Sequence, residues 1–359
     1  MDSRLVQLNK WLAEQFKNEN FTITPVSGDA SFRRYFRVER VFDSELDTKD
    51  RPAQQWIAMD APPEKEDSLP FVAIARHWAS KGIQVPHIEA YDLAQGFMLL
   101  CDFGDTLLLN TVSPINKAQT SSTTQSLYQS ALNTLTHIQT CSQPADYTLP
   151  PYDKELLARE VELFREWLVS KKLSITLNAD DHARLDQAFQ FLINEALAQP
   201  TVCVHRDYHS RNLMQLNDQS IGVLDFQDAV IGPITYDAVS LLRDCYIVLP
   251  PSLVEQCLHE FHQSTRKAGL HNVEYPQFKR WFDLMGIQRH LKAAGIFARL
   301  SLRDGKHDYL NDIPRTVDYI ASASANYSQL ADFNQWLRAT IIPAIDEQLL
   351  TANTQPTTI

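Results

Sequence analysis

Three polar side chains in one stretch of the chain have the chemistry that phosphoryl transfer from ATP requires. Asp207 follows His205 and Arg206, Asn212 comes five residues after Asp207, and Asp225 begins the next polar segment. In that reaction one carboxylate orients an attacking hydroxyl and accepts its proton, while an amide oxygen and a second carboxylate hold Mg²⁺ on the phosphates. The spacing matches an H-R-D-x-x-x-x-N loop followed by a D-F-G-type Asp. We therefore predict Asp207 as the catalytic residue and Asn212 and Asp225 as metal ligands.

Short apolar runs rich in β-branched residues position these side chains. Residues 202–204 and 221–224 have the pattern of buried strands, and a polar segment follows each of them. The three side chains are thus predicted in two consecutive loops of a strand–loop–strand–loop unit. Surface loops with ordinary turn residues are the alternative, and they leave the matched types and order of these residues unexplained.

This stretch resembles the catalytic core of the aminoglycoside-phosphotransferase and choline-kinase branch of the protein-kinase-like fold. In that branch the second residue after the catalytic Asp is commonly His, as His209 is here. Three further segments, residues 28–36, 59–64 and 295–306, are similar to bacterial kinases that phosphorylate the anomeric hydroxyl of N-acetylmuramate and N-acetylglucosamine during cell-wall recycling. Together the similar segments extend over most of the chain.

The resemblance implies an α+β, bilobal protein-kinase-like fold. Its expected parts are a small, β-rich N-lobe in residues 1–103, with an N-terminal helix, a phosphate-covering hairpin and a hinge, and a larger, mainly helical C-lobe in residues 104–359. It also implies ATP and Mg²⁺ as cofactors, an amino sugar as acceptor, and a downstream sugar-1-phosphate nucleotidyltransferase as functional partner. Asp237 is expected to brace the backbone of the catalytic loop rather than contact the substrate.

The expected ATP-binding turn lies between strands predicted at residues 21–26 and 35–41. It contains one glycine, so the G-x-G-x-x-G signature is absent, and hydroxyl, backbone N–H and guanidinium groups are the remaining donors to phosphate. A plain hairpin with exposed arginines is the alternative. At the hinge, the alternative is a buried strand ending at a Gly turn. The candidate ATP-binding residues are Gly28, Ser31, Phe32 and Arg33 in the turn, and the backbones of Cys101 and Phe103 in the hinge.

The strand predicted at residues 56–59 lacks the lysine with which a protein kinase pairs the phosphates. Met59 or Asp60 stands in its place. Either another cation (Arg33, Arg34 or Lys65) neutralises the phosphates, or the nucleotide binds differently. A nucleotide-binding pseudokinase that acts as a regulatory module is a further interpretation of this gap. The presence of Asp207, Asn212 and Asp225 disfavours it.

Helical periodicity dominates the rest of the chain. Helices are predicted at residues 67–81, 116–139, 153–170, 179–199, 234–248 and 284–303. Four cations spaced by three, seven and four residues lie along one face of the last helix, which predicts either a solvated basic face or a site for an anion. They are Arg289, Lys292, Arg299 and Arg303.

A sugar carboxylate is one anion that this helix would suit, because a guanidinium fork donates two parallel hydrogen bonds to a carboxylate. Arg299 and Arg303 are our candidates for that contact. Asp207 itself, Arg211 in the catalytic loop and Asp228 beyond the metal-binding segment are further candidate substrate-binding residues. The acceptor class stays open, because an acidic chain also suits an aminoglycoside, choline or another small-molecule hydroxyl.

Composition limits the partners. The net charge of −11 argues against a general nucleic-acid binder. No apolar run approaches the roughly 18 to 20 residues of a membrane span, and residues 1–16 have the pattern of an amphipathic helix rather than a secretory signal. The five cysteines are scattered, which is typical of reduced thiols. We therefore expect a cytoplasmic enzyme without nucleic-acid or membrane partners.

Overall fold

A computed structural model describes residues 2–17, 19–26, 32–41, 55–112 and 122–350. The chain divides into two units, the first formed by Met1–Leu107, Cys141–Leu149 and Asn212–Asp228, and the second by Leu108–Thr140, Pro150–Arg211 and Ala229–Ile359. The first is β-rich and the second is mainly helical, as the predicted fold class requires. The predicted phosphate-covering residues 27–31 and the polar tail 351–359 lie outside the described residues.

An antiparallel sheet of five strands in the order β1-β2-β3-β5-β4 is the centre of the first unit. Its strands are β1 (Phe21–Val26), β2 (Arg34–Arg40), β3 (Gln55–Asp60), β4 (Ile88–Asp92) and β5 (Phe97–Cys101). Three of them, β1, β2 and β3, were predicted, and their ends agree to within one residue. Strand β5 is the buried strand considered as the alternative at the hinge. The sequence analysis missed β4, a sheet-edge strand with no fully buried side chain.

Helix α1 (Ser3–Gln15) packs on this sheet through its apolar face. The Asp2 side chain caps the helix by accepting a hydrogen bond from the Leu5 N–H group at 3.1 Å. The shared core consists of Leu8, Trp11, Leu12, Phe36, Val38, Ala58, Phe97 and Leu99. The amphipathic helix predicted from the first residues is therefore confirmed.

The rest of the first unit contains helix α2 (Leu69–Ser80) and the hairpin of β7 (Leu213–Gln215) with β8 (Ile221–Val223). The hairpin is fixed to the chain after α2 by a hydrogen bond of 2.8 Å from the Val223 N–H group to the Gln84 carbonyl. The ring of Phe226, just beyond β8, packs on Phe71 of α2 at 4.7 Å between ring centroids. A buried aromatic cluster thus holds the segment that carries Asp225.

The second unit pairs β6 (Thr201–Val204) with β9 (Val230–Pro233) and surrounds this ribbon with helices. The helix α5 continues with π-helical geometry through Phe164–Lys172. The helices are α3 (Leu108–Val112), α4 (Ser122–Thr140), α5 (Lys154–Leu163), α6 (Ala179–Leu197), α7 (Tyr236–Leu242), α8 (Pro251–Lys267), α9 (Tyr275–Asp304), α10 (Ile313–Ser324), α11 (Ala331–Trp336) and α12 (Ile342–Ile345). Within the described ranges, none of the helices combines the length and apolar content that a membrane span requires.

Two predicted helix boundaries were wrong. The helix expected at residues 234–248 is the shorter α7, because Pro233 ends a strand and the Asp244 carboxylate accepts the Tyr246 N–H group at 2.8 Å, which favours a turn over further helix. The helix expected at residues 284–303 begins at Tyr275, and its 30 residues end before Gly305 in the left-handed region. Gly295 lets α9 approach α5 closely, since a Cβ there would lie 2.3 Å from the Leu163 backbone.

Candidate active site

Asp207 lies in the loop after β6, and the backbone of this loop is fixed by the Asp237 side chain from α7. Asp237 accepts the His205 N–H group at 2.7 Å and the Arg206 N–H group at 3.0 Å, one on each carboxylate oxygen. Arg206 has a φ of 76°, a left-handed conformation that is unfavourable for a residue other than glycine. The structure therefore confirms that Asp237 braces the loop, and the brace secures its strained residue.

The charge of Asp207 is set by its surroundings in the second unit. Burial works to raise the pKa of Asp207, but the positive charges around it, Lys292 first and Arg206 and Arg289 among them, outweigh burial and lower that pKa to about 2. Asp207 is therefore ionised at neutral pH. A carboxylate of this kind is a weak base, which suits a reaction that needs a hydroxyl oriented more than early proton removal.

A buried charge network lies under the loop. Glu160 of α5 is only 4% exposed, and its Oε1 is 2.9 Å from Arg206 Nη2 and 3.1 Å from Lys292 Nζ. The Tyr152 hydroxyl donates to the other oxygen of Glu160. Lys292 also donates to the Tyr236 hydroxyl at 3.0 Å. The Glu160 carboxylate thus neutralises two cations. Arg206 precedes Asp207 in the sequence, and Lys292 lowers the pKa of Asp207 through its positive charge.

The sequence analysis did not identify this network. It left open a solvated basic face on α9, and that interpretation is wrong for Arg289 and Lys292, which are 6% and 8% exposed. Glu160 gave a signal that could have been used, because it lies on the same helical face as Leu157 and Phe164, which are buried. A carboxylate at a core position requires a buried cationic partner.

After Asp207, two side chains of the loop, His209 and Arg211, contact the ring of Tyr246. The His209 ring lies 5.2 Å from the Tyr246 ring, and burial lowers the pKa of His209, so that the ring is neutral at pH 7. The Arg211 guanidinium is stacked 3.7 Å above the centre of the Tyr246 ring. Asp244 accepts the Ser210 N–H group at 2.9 Å. These contacts fix the loop on the chain that follows α7.

The two predicted metal ligands lie together in the first unit. Asn212 Nδ2 is 3.3 Å from Asp225 Oδ2, and the Leu224 N–H group donates to the Asn212 carbonyl at 2.9 Å. Asp225 has a φ of 60°, and Gln227 Nε2 donates to its Oδ1 at 2.7 Å. The strained backbone and these hydrogen bonds orient the Asp225 carboxylate beside the Asn212 amide.

This donor set fits Mg²⁺ bound together with phosphates. Magnesium takes oxygen ligands and is commonly held by one or two carboxylates plus the phosphates of a nucleotide. Across the described residues, no three His, Cys, Asp or Glu side chains gather as a potential metal site. The Asn212 amide and the Asp225 carboxylate would hold such an ion together with phosphate oxygens.

The described part of the expected ATP-binding turn is Phe32 and Arg33; Gly28 and Ser31 lie outside the described residues. Phe32 is 63% exposed, and its N–H group donates to Glu66 Oε1 at 3.1 Å. Arg33 Nη2 lies 2.8 Å from Glu66 Oε2. The Lys65 ammonium lies 5.6 Å from the centre of the Phe32 ring. The adjacent residues Lys65 and Glu66 thus both contact the end of the turn.

Of the two residues that stand near the strand position of the kinase lysine, Met59 and Asp60, the second is a buried carboxylate. Asp60, at the end of β3, is fully buried and accepts Arg4 Nε at 3.1 Å and Arg34 Nε at 3.0 Å. Arg33 and Arg34 therefore both form ion pairs with acidic residues. Lys65 is the third cation considered for the phosphates. Among the described residues it contacts the Phe32 ring and has no acidic partner.

The expected hinge follows β5. The Cys101 N–H group donates to the His87 carbonyl at 2.9 Å, so this group already has a partner within the sheet. The Asp102 carboxylate accepts the Gly104 N–H group at 2.7 Å and also pairs with Arg37. Gly222 is needed beside Phe103, because a Cβ at Gly222 would lie 2.7 Å from the Phe103 ring. Adenine contacts by Cys101 and Phe103 stay predictions.

The remaining substrate candidates are spread over the chain. Asp228 is exposed at the end of its segment in the first unit. Arg303 is exposed and donates to both oxygens of Asp304, at 2.7 Å and 2.9 Å. Arg299 is half-buried. At about 1.5 Å of rise per residue, Arg299 and Arg303 lie about 10 Å and 17 Å along α9 from Lys292. They do not join the charge network around Asp207.

Solved structures define the fold. The chain superposes on the Plasmodium vivax ethanolamine kinase with a TM-score of 0.61 and 12% identity, covering 88% of this chain and 86% of that one. It superposes on choline kinase LicA from Streptococcus pneumoniae with a TM-score of 0.57 and 12% identity, covering 88% and 99%. The ADP-bound aminoglycoside phosphotransferase APH(2'')-Ib gives 0.57 and 13%, covering 90% and 99%. The fold is protein-kinase-like.

Sequence comparison gives the family. The family model described as the phosphotransferase enzyme family matches residues 22–274, and the chain belongs to that family. It is 42% identical, over 93% of its length and 96% of the relative's, to the N-acetylmuramate/N-acetylglucosamine kinase of Pseudomonas putida. It is 37% identical, over 98% and 99%, to the kinase of the same name in Neisseria meningitidis serogroup B. The predicted family resemblance is confirmed.

Proposed function

We propose that this protein is an ATP-dependent kinase that phosphorylates the anomeric hydroxyl of N-acetylmuramate and N-acetylglucosamine to the sugar 1-phosphate. The observation that carries the proposal is the braced loop with an ionised Asp207, in a chain whose relatives over nearly their full length are kinases of that name. ATP as phosphate donor fits the family, and one structural neighbour was solved with ADP.

In the proposed reaction Asp207 accepts a hydrogen bond from the anomeric hydroxyl and directs its oxygen at the γ-phosphorus. The new bond joins that oxygen to phosphorus, the bond from phosphorus to the bridging oxygen of ATP breaks, and the hydroxyl proton passes to Asp207. Positioning supplies most of the acceleration in such a transfer. The ion pairs of Glu160 and the brace from Asp237 keep the loop in place during this step.

Asn212 and Asp225 are proposed to hold Mg²⁺, which neutralises phosphate charge when it is bound. Their contact, from Asn212 Nδ2 to Asp225 Oδ2 at 3.3 Å, supports this assignment because it holds an amide and a carboxylate, both of which carry oxygen ligands, side by side. Gly28, Ser31, Phe32 and Arg33, with the backbones of Cys101 and Phe103, are proposed to bind ATP. Lys65 is our candidate for the cation that replaces the strand lysine, since its ammonium lies over the exposed Phe32 ring beside that turn.

For the acceptor we propose contacts from Asp207, Arg211 and Asp228. The assignment of a sugar carboxylate to Arg299 or Arg303 stays a prediction, and turnover of both sugars by Arg303→Ala tests it. Equal losses on the two sugars would argue against that assignment. The product would be the substrate of a nucleotidyltransferase in peptidoglycan recycling, and we propose a cytoplasmic location because ATP and the nucleotidyltransferase substrate are found there.

The test is an acceptor panel with purified protein and ATP, in which phosphorus NMR reads the position of the new phosphate. We expect phosphate on the anomeric oxygen of both amino sugars and none on aminoglycosides or choline. Phosphate on one of those other acceptors alone would replace the proposed substrate while keeping the kinase. Release of ADP that does not depend on any acceptor, or no release at all, would favour a regulatory nucleotide-binding module.

A further inference from the structure

We propose that Arg289 is the residue that recognises a carboxylate on the acceptor, which for N-acetylmuramate is the lactyl group that N-acetylglucosamine lacks. This inference rests on the proposed function, because it assumes that the acceptor is an amino sugar that binds beside Asp207. It assigns a specificity-determining residue that differs from Arg299 and Arg303, the residues favoured by sequence pattern alone.

The first argument is the pairing of the Arg289 guanidinium. The residue is 6% exposed, yet within the described part of the chain its one hydrogen-bond acceptor is the Cys245 thiol, with Nη1 to Sγ at 3.6 Å. A guanidinium carries five N–H donors, and a thiol sulfur is a weak acceptor. A buried cation with one weak acceptor is costly unless an anion completes its hydrogen bonds.

Two of the other three arginines of α9 show the contrast. Arg280 Nη2 lies 2.6 Å from Glu195 Oε1, and Arg303 donates to both oxygens of Asp304. Among the described residues, no Asp or Glu side chain forms an ion pair with Arg289, although the negative charges of Asp244 and Asp207 act on it. The Asp244 oxygens accept the Ser210 and Tyr246 N–H groups, at 2.9 Å and 2.8 Å. The guanidinium of Arg289 is thus more buried than those of Arg280, Arg299 and Arg303, and it lacks the acidic partner that Arg280 and Arg303 have.

The second argument is position. Arg289 lies one helical turn from Lys292 on the same face of α9, and its positive charge acts on both Asp207 and His209. Tyr246, whose N–H group is held by Asp244, packs against the His209 ring and stacks on Arg211. A sugar with its anomeric hydroxyl at Asp207 would therefore present its ring substituents to this group of residues. A carboxylate fits the guanidinium fork with two parallel hydrogen bonds.

The experiment compares kcat/KM for N-acetylmuramate, its methyl ester and N-acetylglucosamine in the wild type and in Arg289→Met. In the wild type we expect the acid to exceed its ester by about 10- to 100-fold, as for hydrogen bonds to a charged group. In Arg289→Met the acid and the ester should react equally, and the ratio of N-acetylmuramate to N-acetylglucosamine should fall by about the same factor. Ratios cancel any loss that the three acceptors share through reduced stability.

Arg280→Met is the matched control, because it removes an arginine with an acidic partner from the same helix and should leave the ratios unchanged. Arg289→Lys should restore part of the preference for the acid over the ester.

Equal ratios in wild type and Arg289→Met would overturn the role of Arg289 while leaving the kinase proposal intact. If the wild type phosphorylates neither sugar, the proposed function itself fails, and the inference fails with it. If Arg289→Met does not fold, the wild-type comparison of acid and ester still decides whether a cation reads the carboxylate, and Arg289→Lys decides which one.

Discussion

Arg206 Nη2 lies 2.9 Å from Glu160 Oε1, so the residue before the proposed catalytic Asp207 is held by a helix 46 residues earlier in the chain. Arg206 also has a left-handed backbone, with a φ of 76°. The ion pair and the Asp237 brace act on the same residue, one through its side chain and one through its N–H group. The position of Asp207 therefore depends on two distant acidic side chains that take no part in the chemistry.

Glu160→Gln should reduce the free energy of unfolding by about 3–5 kcal/mol, because it leaves two buried cations without their shared carboxylate. Urea unfolding followed by circular dichroism measures this. Glu162→Gln is the matched control on the same helix. Its partner Arg165 is 3.2 Å away and the glutamate is 49% exposed, so the loss should stay below about 1 kcal/mol. Equal losses in the two variants would contradict a buried network.

The difference in the free energy of unfolding between wild type and Glu160→Gln should depend on pH. Burial works to raise the pKa of Glu160, but Lys292, Arg206 and the Tyr152 hydroxyl outweigh it and lower that pKa in the folded protein. A lowered pKa means that the stabilisation is fully present above the unfolded value of 4.5 and is lost as the pH falls through the folded value. The difference between wild type and Glu160→Gln should therefore be largest near neutral pH and shrink below pH 4.5. A difference that grows on acidification would reverse the assigned sign.

Asp207→Asn should lower kcat by about 10²- to 10⁴-fold, because the amide can neither accept the hydroxyl proton nor orient the hydroxyl as an ionised carboxylate does. The affinity for ATP, measured by calorimetry, should change little. Asp308→Asn, at an exposed carboxylate of the second unit, is the control and should retain wild-type turnover. Near-wild-type activity of Asp207→Asn would remove Asp207 from the mechanism.

Asp225→Asn should raise the Mg²⁺ concentration needed for half-maximal activity by about 10-fold or more, because a neutral amide binds a hard cation more weakly than a carboxylate does. Activity titrations with Mg²⁺ at fixed ATP measure this. Asp218→Asn, in the exposed turn between β7 and β8, is a nearby control that should leave the titration unchanged. An unaltered titration in Asp225→Asn would contradict the metal assignment.

Lys65→Met should raise KM for ATP by about 10-fold and leave KM for the sugar little changed, since the charge acts on phosphate. Lys10→Met removes an exposed lysine from α1 and serves as the control. A steady-state ATP titration distinguishes them. If Lys65→Met and Lys10→Met give the same KM for ATP, then Lys65 does not replace the missing strand lysine.

Much of the architecture follows from local pattern. Alternating and β-branched runs located three strands of the first sheet, and the periodicity of the first residues located α1. Local pattern failed where pairing or a turn between near neighbours in the chain sets the outcome. Strand β4 pairs with β5 at the sheet edge, and α7 ends early because Asp244 accepts the Tyr246 N–H group.

The sequence alone was enough to propose the residues of the chemistry, because Asp207, Asn212 and Asp225 are identified by type and by short spacing within one stretch of the chain. It did not determine which charges surround them. Lys292 and Arg289 belong to a helical stripe that sequence treats as equivalent to Arg303, yet folding buries the first two and leaves Arg303 exposed beside Asp304. Tertiary packing decides how much free energy it costs to leave each cation without an anion, because that cost is large for a buried cation and small for an exposed one. This difference separates Lys292, which supports the loop, and Arg289, the candidate carboxylate site, from the solvated Arg303.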